Sequence, residues 1–328
     1  MRSFTSPLAW TTLALAFSPA ALSGPVKRTN GPWMAIDSDF PDPSFLKAAD
    51  GVWYAFGTNG NGKRIQVANS TDFVTWTLLD IEALPTVASW ELDEEHWAPD
   101  VILRDDGKYV MYYSGDAASD SPHHCVGTAI ADTPTGPYVP SDTPLSCLLD
   151  QGGSIDPSGF LDSTGSRYVV FKVDGNSIGH GGDCNNMVDP IVPTPIMLQE
   201  VAADGVTPVG DAVQIFDRDA DDGPLVEAPN LILQGGTYFL FYSSYCFTDP
   251  QYSVKYATAP SITGPYTRSG VQLVQTGTYG LTSPGGGTVC GCGQEMLFHG
   301  FCGDVAAQDE RCMYAANIVI DGTNITLA

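Results

Sequence analysis

Three acidic residues occupy matching places along the chain. Asp42 precedes Pro43, Asp156 precedes Pro157, and Glu227 lies two residues before Pro229. When Pro43, Pro99, Pro157 and Pro229 are aligned, the residues before them are Asp42, Ala98, Asp156 and Ala228. One step further back stand Pro41, Trp97, Ile155 and Glu227. Carboxylates gathered in one depression repel one another and lose hydration, which pushes at least one toward its protonated form. An acid and a base then coexist at one pH. Glycoside hydrolysis needs that pair: a protonated carboxyl for the leaving oxygen, and an ionised one for water or the anomeric carbon. Asp42, on a short side chain, suits the general base. Glu227, one methylene longer, suits the general acid. Asp156 suits a third carboxyl that keeps Glu227 protonated and oriented. Asp before Pro is also a common turn starter, so each motif alone is weak, and their shared register carries the argument.

That register belongs to an internal repeat. Five proline- or glycine-marked starts recur: Phe40 to Leu46, Trp97 to Leu103, Ile155 to Phe160, Glu227 to Ile232, and a weaker Pro284 to Val289. Each is followed by an aromatic-rich run of β-formers, such as Trp53-Tyr54-Ala55-Phe56 or Tyr238-Phe239-Leu240-Phe241-Tyr242. A third strand follows in every unit: Arg64 to Ala68, Cys125 to Ala131, Ile196 to Val201, Ser253 to Thr258 and Met313 to Ile318. Between the marker prolines Pro43, Pro99, Pro157, Pro229 and Pro284 the spacings are 56, 58, 72 and 55 residues. The long interval holds a Gly/Asn-rich stretch, Asp174 to Pro193, read as a loop on one face. Five units of about four strands without an amphipathic helix predict an all-β, five-bladed β-propeller. A β-sandwich would show turn signals but not this repeated start. A propeller packs each blade's first strand around an axis, so residues at the strand heads converge.

Composition narrows the partners. Of 328 residues, 43% are hydrophobic, and 14 Lys+Arg stand against 38 Asp+Glu, a net charge of −24. Such a surface excludes nucleic acid and anionic membranes and leaves a neutral ligand open. Arg2, the apolar run Leu8 to Phe17 and the small residues Ala20, Ala21 and Ser23 read as a secretory signal peptide over residues 1–23, with the dibasic Lys27-Arg28 as a further processing site. The expected mature chain, residues 29–328, forms a single catalytic domain and carries 11 basic against 38 acidic side chains, a net charge of −27. Eight cysteines in a secreted chain point to disulfides, and zinc-type Cys-x-x-Cys pairs are absent. Two sequons, at Asn69 and Asn324, fit the same compartment.

The set Pro41-Asp42-Pro43-Ser44, Trp97-Ala98-Pro99-Asp100-Val101, Ser154-Ile155-Asp156-Pro157 and Glu227-Ala228-Pro229 resembles glycoside hydrolase family 43, and the likeness spans essentially the whole mature chain. The resemblance implies a five-bladed propeller, an inverting mechanism, and arabinan- or xylan-derived substrates. By the match, Asp42 corresponds to the general base, Glu227 to the general acid and Asp156 to the pKa-tuning aspartate. Many members carry a histidine in the fifth blade's first strand, where this chain has Gly285-Gly286-Gly287. His299, at the end of the next strand, is similar to another histidine of the family and is expected to point at the axis.

Sugar recognition also needs apolar platforms. Trp97 is the first stacking candidate, with Phe40 and Trp33 weaker ones and His299 a further substrate-side candidate. No metal and no cofactor is required, and a bound ion would be a structural calcium rather than zinc. In this layout Cys302 can pair with Cys312, Cys184 with Cys246 and Cys125 with Cys147. Cys290 and Cys292 are left over, and a bridge between them would be strained. The expectation is a secreted, extracellular and monomeric inverting glycosidase, cleaving α-L-arabinofuranosyl linkages in plant cell-wall polysaccharide. The alternatives are a β-xylosidase acting on xylan fragments, and a lectin-like propeller that binds carbohydrate without turnover.

Overall fold

The computed structural model describes Met1 and residues 31–303 and 310–328. The expected signal peptide and the Lys27-Arg28 site lie outside the described residues, Met1 aside. The chain forms five separate sheets, one per blade, in place of the two facing sheets of a sandwich. The innermost strands are Ser44–Lys47, Glu91–Leu103, Ser154–Leu161, Val226–Gln234 and Gly285–Val289. Second and third strands follow in sequence, antiparallel to their neighbours. Among the described residues no helix is long and apolar enough to cross a membrane.

The outer strand of the fifth blade comes from the other end of the chain. Trp33–Asp39 pairs antiparallel with Arg311–Asp321 and closes the ring. Trp33, weighed above as a sugar platform, is therefore an outer-blade residue. Its indole N–H donates to the carbonyl of Val74 at 3.2 Å, and its ring meets Phe73 edge-on.

Blades bury both faces of their middle strands, so the aromatic runs become core. The apolar clusters sit between adjacent blades. Phe56 and Val67 meet Met111 and Tyr113, Tyr112 meets Val169, and Val170 meets Leu231 and Leu240. Phe239 and Phe241 meet Met296 and Phe298, and Leu297 and Met313 meet Phe45 and Trp53. The two Gly-Pro-Tyr sequences make the same corner. Tyr138 donates to the carbonyl of Pro134 and Tyr266 to that of Ile262.

Four disulfides hold loops and strand ends together. Cys125–Cys147, Cys184–Cys246 and Cys302–Cys312 pair as the layout suggests. Cys290 and Cys292 are not left over. They are bonded to each other in the turn between strands Gly285–Val289 and Glu295–Phe301.

Candidate active site

At each strand head the backbone turns left-handed for one residue: Asp42 (φ 51°), Ala98 (42°), Asp156 (54°), Ala228 (50°) and Gly286 (59°). In blades two to five the ladder to the second strand slips there, so these are bulges. Four of the five are not glycine, and each costs on the order of 1–3 kcal/mol of backbone strain that the packed ring must offset.

Three of these residues, Asp42, Asp156 and Ala228, line one pit of about 320 Å³ together with Trp97, Glu227, Tyr252 and Arg311 among others. The three acids predicted from the register thus share a cavity, although they come from three blades. Their environments differ sharply.

Asp42 is held ionised. Its Oδ2 accepts from Thr58 Oγ1 at 2.7 Å, and its Oδ1 lies 3.3 Å from Arg311 Nη1 and 3.2 Å from His299 Nδ1. Burial alone would raise its pKa. Arg311, with the Thr58 hydroxyl, outweighs burial and keeps the carboxyl well below the usual aspartate range. His299 Nδ1 accepts the N–H of Asp42 at 3.0 Å, which places the ring proton on Nε2. Burial and the nearby Arg311 also push the imidazole down. His299 therefore serves Asp42 as a neutral hydrogen-bond partner, and Arg311 is the standing cation. Gly286 makes this contact possible, because a Cβ there would lie 2.7 Å from His299 Nδ1.

Asp156 behaves in the opposite way. Burial first, then the neighbouring Glu227 charge, push it up to about 8 against the pull of Lys172. It therefore retains a proton at neutral pH. Its Oδ2 accepts the N–H of Ala228 at 2.8 Å. Glu227 is gripped at both oxygens: Oε1 accepts from Tyr252 at 2.8 Å, and Oε2 from Lys172 Nζ at 3.2 Å.

Trp97 lines the pit, with its ring stacked on His124 at 3.7 Å and its N–H donated to Glu95 at 2.8 Å. Two expected substrate contacts need correction. Phe40 is fully buried, with its ring pressed on Gly57, and has no face open to a sugar. His299 is also fully buried and touches Asp42 rather than the pit.

Lys172, Arg311, Tyr252 and Phe247 complete the pit but were not singled out from the sequence. One signal was present: a lone lysine inside the apolar run Tyr168 to Val173. The Arg311 guanidinium rests over the Phe247 ring at 4.8 Å. Deeper on the axis lies a void of about 30 Å³, lined by Ser44, Asp100, Ser158 and Thr288 as well as the strand heads. Among these four side chains only Ser44 Oγ is buried without a partner, whereas Asp100 Oδ2 is taken by the N–H of Gly159.

Residues 35–315 match the family described as Glycosyl hydrolases family 43. The chain belongs to glycoside hydrolase family 43. It is a glycosidase. The chain is 26% identical over 300 residues to "Extracellular endo-alpha-(1->5)-L-arabinanase 1" of Bacillus subtilis (strain 168), covering 86% of this chain and 83% of that protein. In structure it is similar to "GH43 Endo-Arabinanase from Bacillus licheniformis", with a TM-score of 0.69 at 25% identity over 89% of this chain and 99% of the other. It is also similar to a thermostable family-43 glycoside hydrolase, with a TM-score of 0.74 at 24% identity over 88% of this chain and 93% of the other.

Proposed function

We propose that this family 43 glycosidase is a secreted, monomeric, inverting enzyme that cleaves α-L-arabinofuranosyl linkages of arabinan or arabinose-substituted plant cell-wall polysaccharide. One observation supports it most. A single pit holds one carboxyl kept ionised, Asp42, and one kept protonated, Asp156, beside a doubly held Glu227. Asp42 accepts a proton from water as that water attacks the anomeric carbon. The one proton held by the Asp156–Glu227 pair, on Asp156 at rest, passes to Glu227, which delivers it to the departing glycosidic oxygen and is left as the carboxylate. Trp97 offers a flat apolar wall for the sugar ring.

The choice of arabinan rests on the arabinanases this chain resembles. Cleavage of β-xylosyl linkages is the alternative within the same chemistry. Secretion rests on the N-terminal apolar run, the four disulfides and a similar extracellular arabinanase. Of the two sequons, Asn324 is exposed beside a turn, whereas Asn69 is half-buried in a blade strand. Asn324 is the better glycan acceptor.

A panel of aryl α-L-arabinofuranoside, aryl β-xyloside, linear arabinan and xylan tests the reading, with the fresh product followed by proton NMR. Arabinose-containing product of inverted anomeric configuration is expected. A retained anomer contradicts the single displacement. Binding to arabinan with no sugar released from any substrate would favour a carbohydrate-binding propeller.

A further inference from the structure

Each blade's second strand carries, within it or just after it, one residue beside the head of the first: Thr58, Ser114, Lys172, Ser243 and His299. The ladders establish their equivalence. Trp97 faces Ser114, Ile155 faces Lys172, Glu227 faces Ser243 and Gly285 faces His299. In the first blade Thr58 donates its N–H to the carbonyl of Pro41. At four of the five junctions this side chain accepts the N–H of the next blade's left-handed residue. Thr58 takes that of Ala98 at 2.8 Å, Ser114 that of Asp156 at 3.0 Å, Ser243 that of Gly286 at 2.9 Å and His299 that of Asp42 at 3.0 Å.

The third blade breaks the pattern. An ammonium has no lone pair and cannot accept. The N–H of Ala228 goes instead to Asp156 Oδ2 at 2.8 Å. Lys172, 1% exposed, turns its Nζ to Asp174 at 3.0 Å and Glu227 at 3.2 Å. One lysine in one slot thus separates the acid side of the pit from the other four junctions.

We propose that Lys172 is a positioning residue that builds the acid site: its ammonium fixes Glu227, and its inability to accept makes Asp156 bond the backbone of the Glu227 strand. This rests on the glycosidase reading above. The ionisable groups around it are Asp174, Asp156, Glu227 and Tyr252. Beyond them stand Asp42 with Arg311 and His299, and His124 on the Asp174 side. A buried cation beside this many carboxyls lowers the affinity of the acid pair for its proton.

Two substitutions separate the two effects. Lys172→Met removes the charge and still cannot accept, so Asp156 keeps its bond to Ala228. Lys172→Ser also removes the charge, but it restores the acceptor found at Ser114 and Ser243 and frees Asp156. In both, the alkaline limb of kcat/KM on an aryl arabinofuranoside should move up by about one to three pH units, because the pair keeps its proton longer. Lys172→Ser should lose further kcat, tenfold or more below Lys172→Met, with KM changing less. Carboxyl-carbon NMR titration of Asp156 should show the same upward movement without any turnover.

Folded variants with an unchanged alkaline limb and an unchanged Asp156 titration would overturn the proposal, even if both were less stable. In the unmutated protein, a Lys172 side-chain nitrogen whose NMR shift does not follow the Asp156 titration would also overturn it, whether or not the variants fold. A wild-type protein inactive on every pentoside would sink the substrate reading alone, since the carboxyl titration still reports on Lys172.

Discussion

Replacing Asp42 by Asn is the sharpest test of the pit. The residue sits at φ 51°, a conformation Asn tolerates better than most side chains, so the backbone should hold. The N–H of residue 42 still meets His299 Nδ1, and an amide still takes the Thr58 hydroxyl. What disappears is the negative charge that Arg311 faces at 3.3 Å and the ability to take a proton from water. General base catalysis is worth about 10²- to 10⁴-fold, or about 2.7–5.4 kcal/mol of barrier. The assay is initial-rate kinetics on an aryl α-L-arabinofuranoside, with a circular dichroism melt confirming the fold. Sodium azide, a small anion that needs no base, should restore part of the turnover and yield the inverted glycosyl azide. In the wild type the acid limb of kcat/KM should lie below pH about 4, the ordinary aspartate value, since Arg311 holds Asp42 lower still. A folded Asp42→Asn variant keeping more than a tenth of wild-type kcat, with the same acid limb, refutes the role given to Asp42.

Three further outcomes follow from the same geometry. Asp156 has a folded pKa raised to about 8, above its unfolded value; its protonated form is favoured in the fold, so its contribution is fully present below pH about 4 and is lost as pH rises toward 8. Asp156→Asn should flatten that decline in unfolding free energy, measured by urea titration at several pH values; an unaltered slope would contradict the assignment. Trp97→Ala should raise KM on arabino-oligosaccharides about tenfold or more through the lost stacking face, at about 1.4 kcal/mol per tenfold, while an unaffected KM would leave Trp97 a packing partner of His124 alone. Replacing Cys184 and Cys246 together by Ser opens a link 62 residues apart in sequence and should cost about 4 kcal/mol on the chain-entropy account; because Cys184 and Phe247 both line the pit, substrate affinity should fall with stability in calorimetric titrations.

The propeller was legible because its signal is repeated: five starts, five aromatic strands, and near-constant spacing. The three acids were legible because the repeat supplies a common depth. Residues without counterparts in register were harder to see. Lys172 and Arg311 occur once each in the pit, so no periodicity marks them, although a lysine among Val169, Val170, Phe171 and Val173 breaks the local apolar pattern. Phe40 reads as a substrate contact from its place near a strand head, and His299 from its likeness to a family histidine. Sequence spacing gives position along the strand but not whether a ring faces the pit or the packed wall, and Gly57 and Gly286 leave the room that draws these two inward. The closing strand Trp33–Asp39 precedes the first repeat marker and looks like none of the other outer strands, so only its pairing with Arg311–Asp321 reveals it.

That closure ties the reactive group to two distant stretches of the polypeptide. Asp42 follows the strand Trp33–Asp39 by three residues, yet two of its side-chain partners, His299 and Arg311, lie 257 and 269 residues further along the chain. A nascent or C-terminally clipped chain can fold its early blades around local contacts while its nucleophile-activating carboxylate is still unsupported. Assembly thus acts as a completion check: hydrolytic competence arrives only when the strand Arg311–Asp321 zips onto Trp33–Asp39.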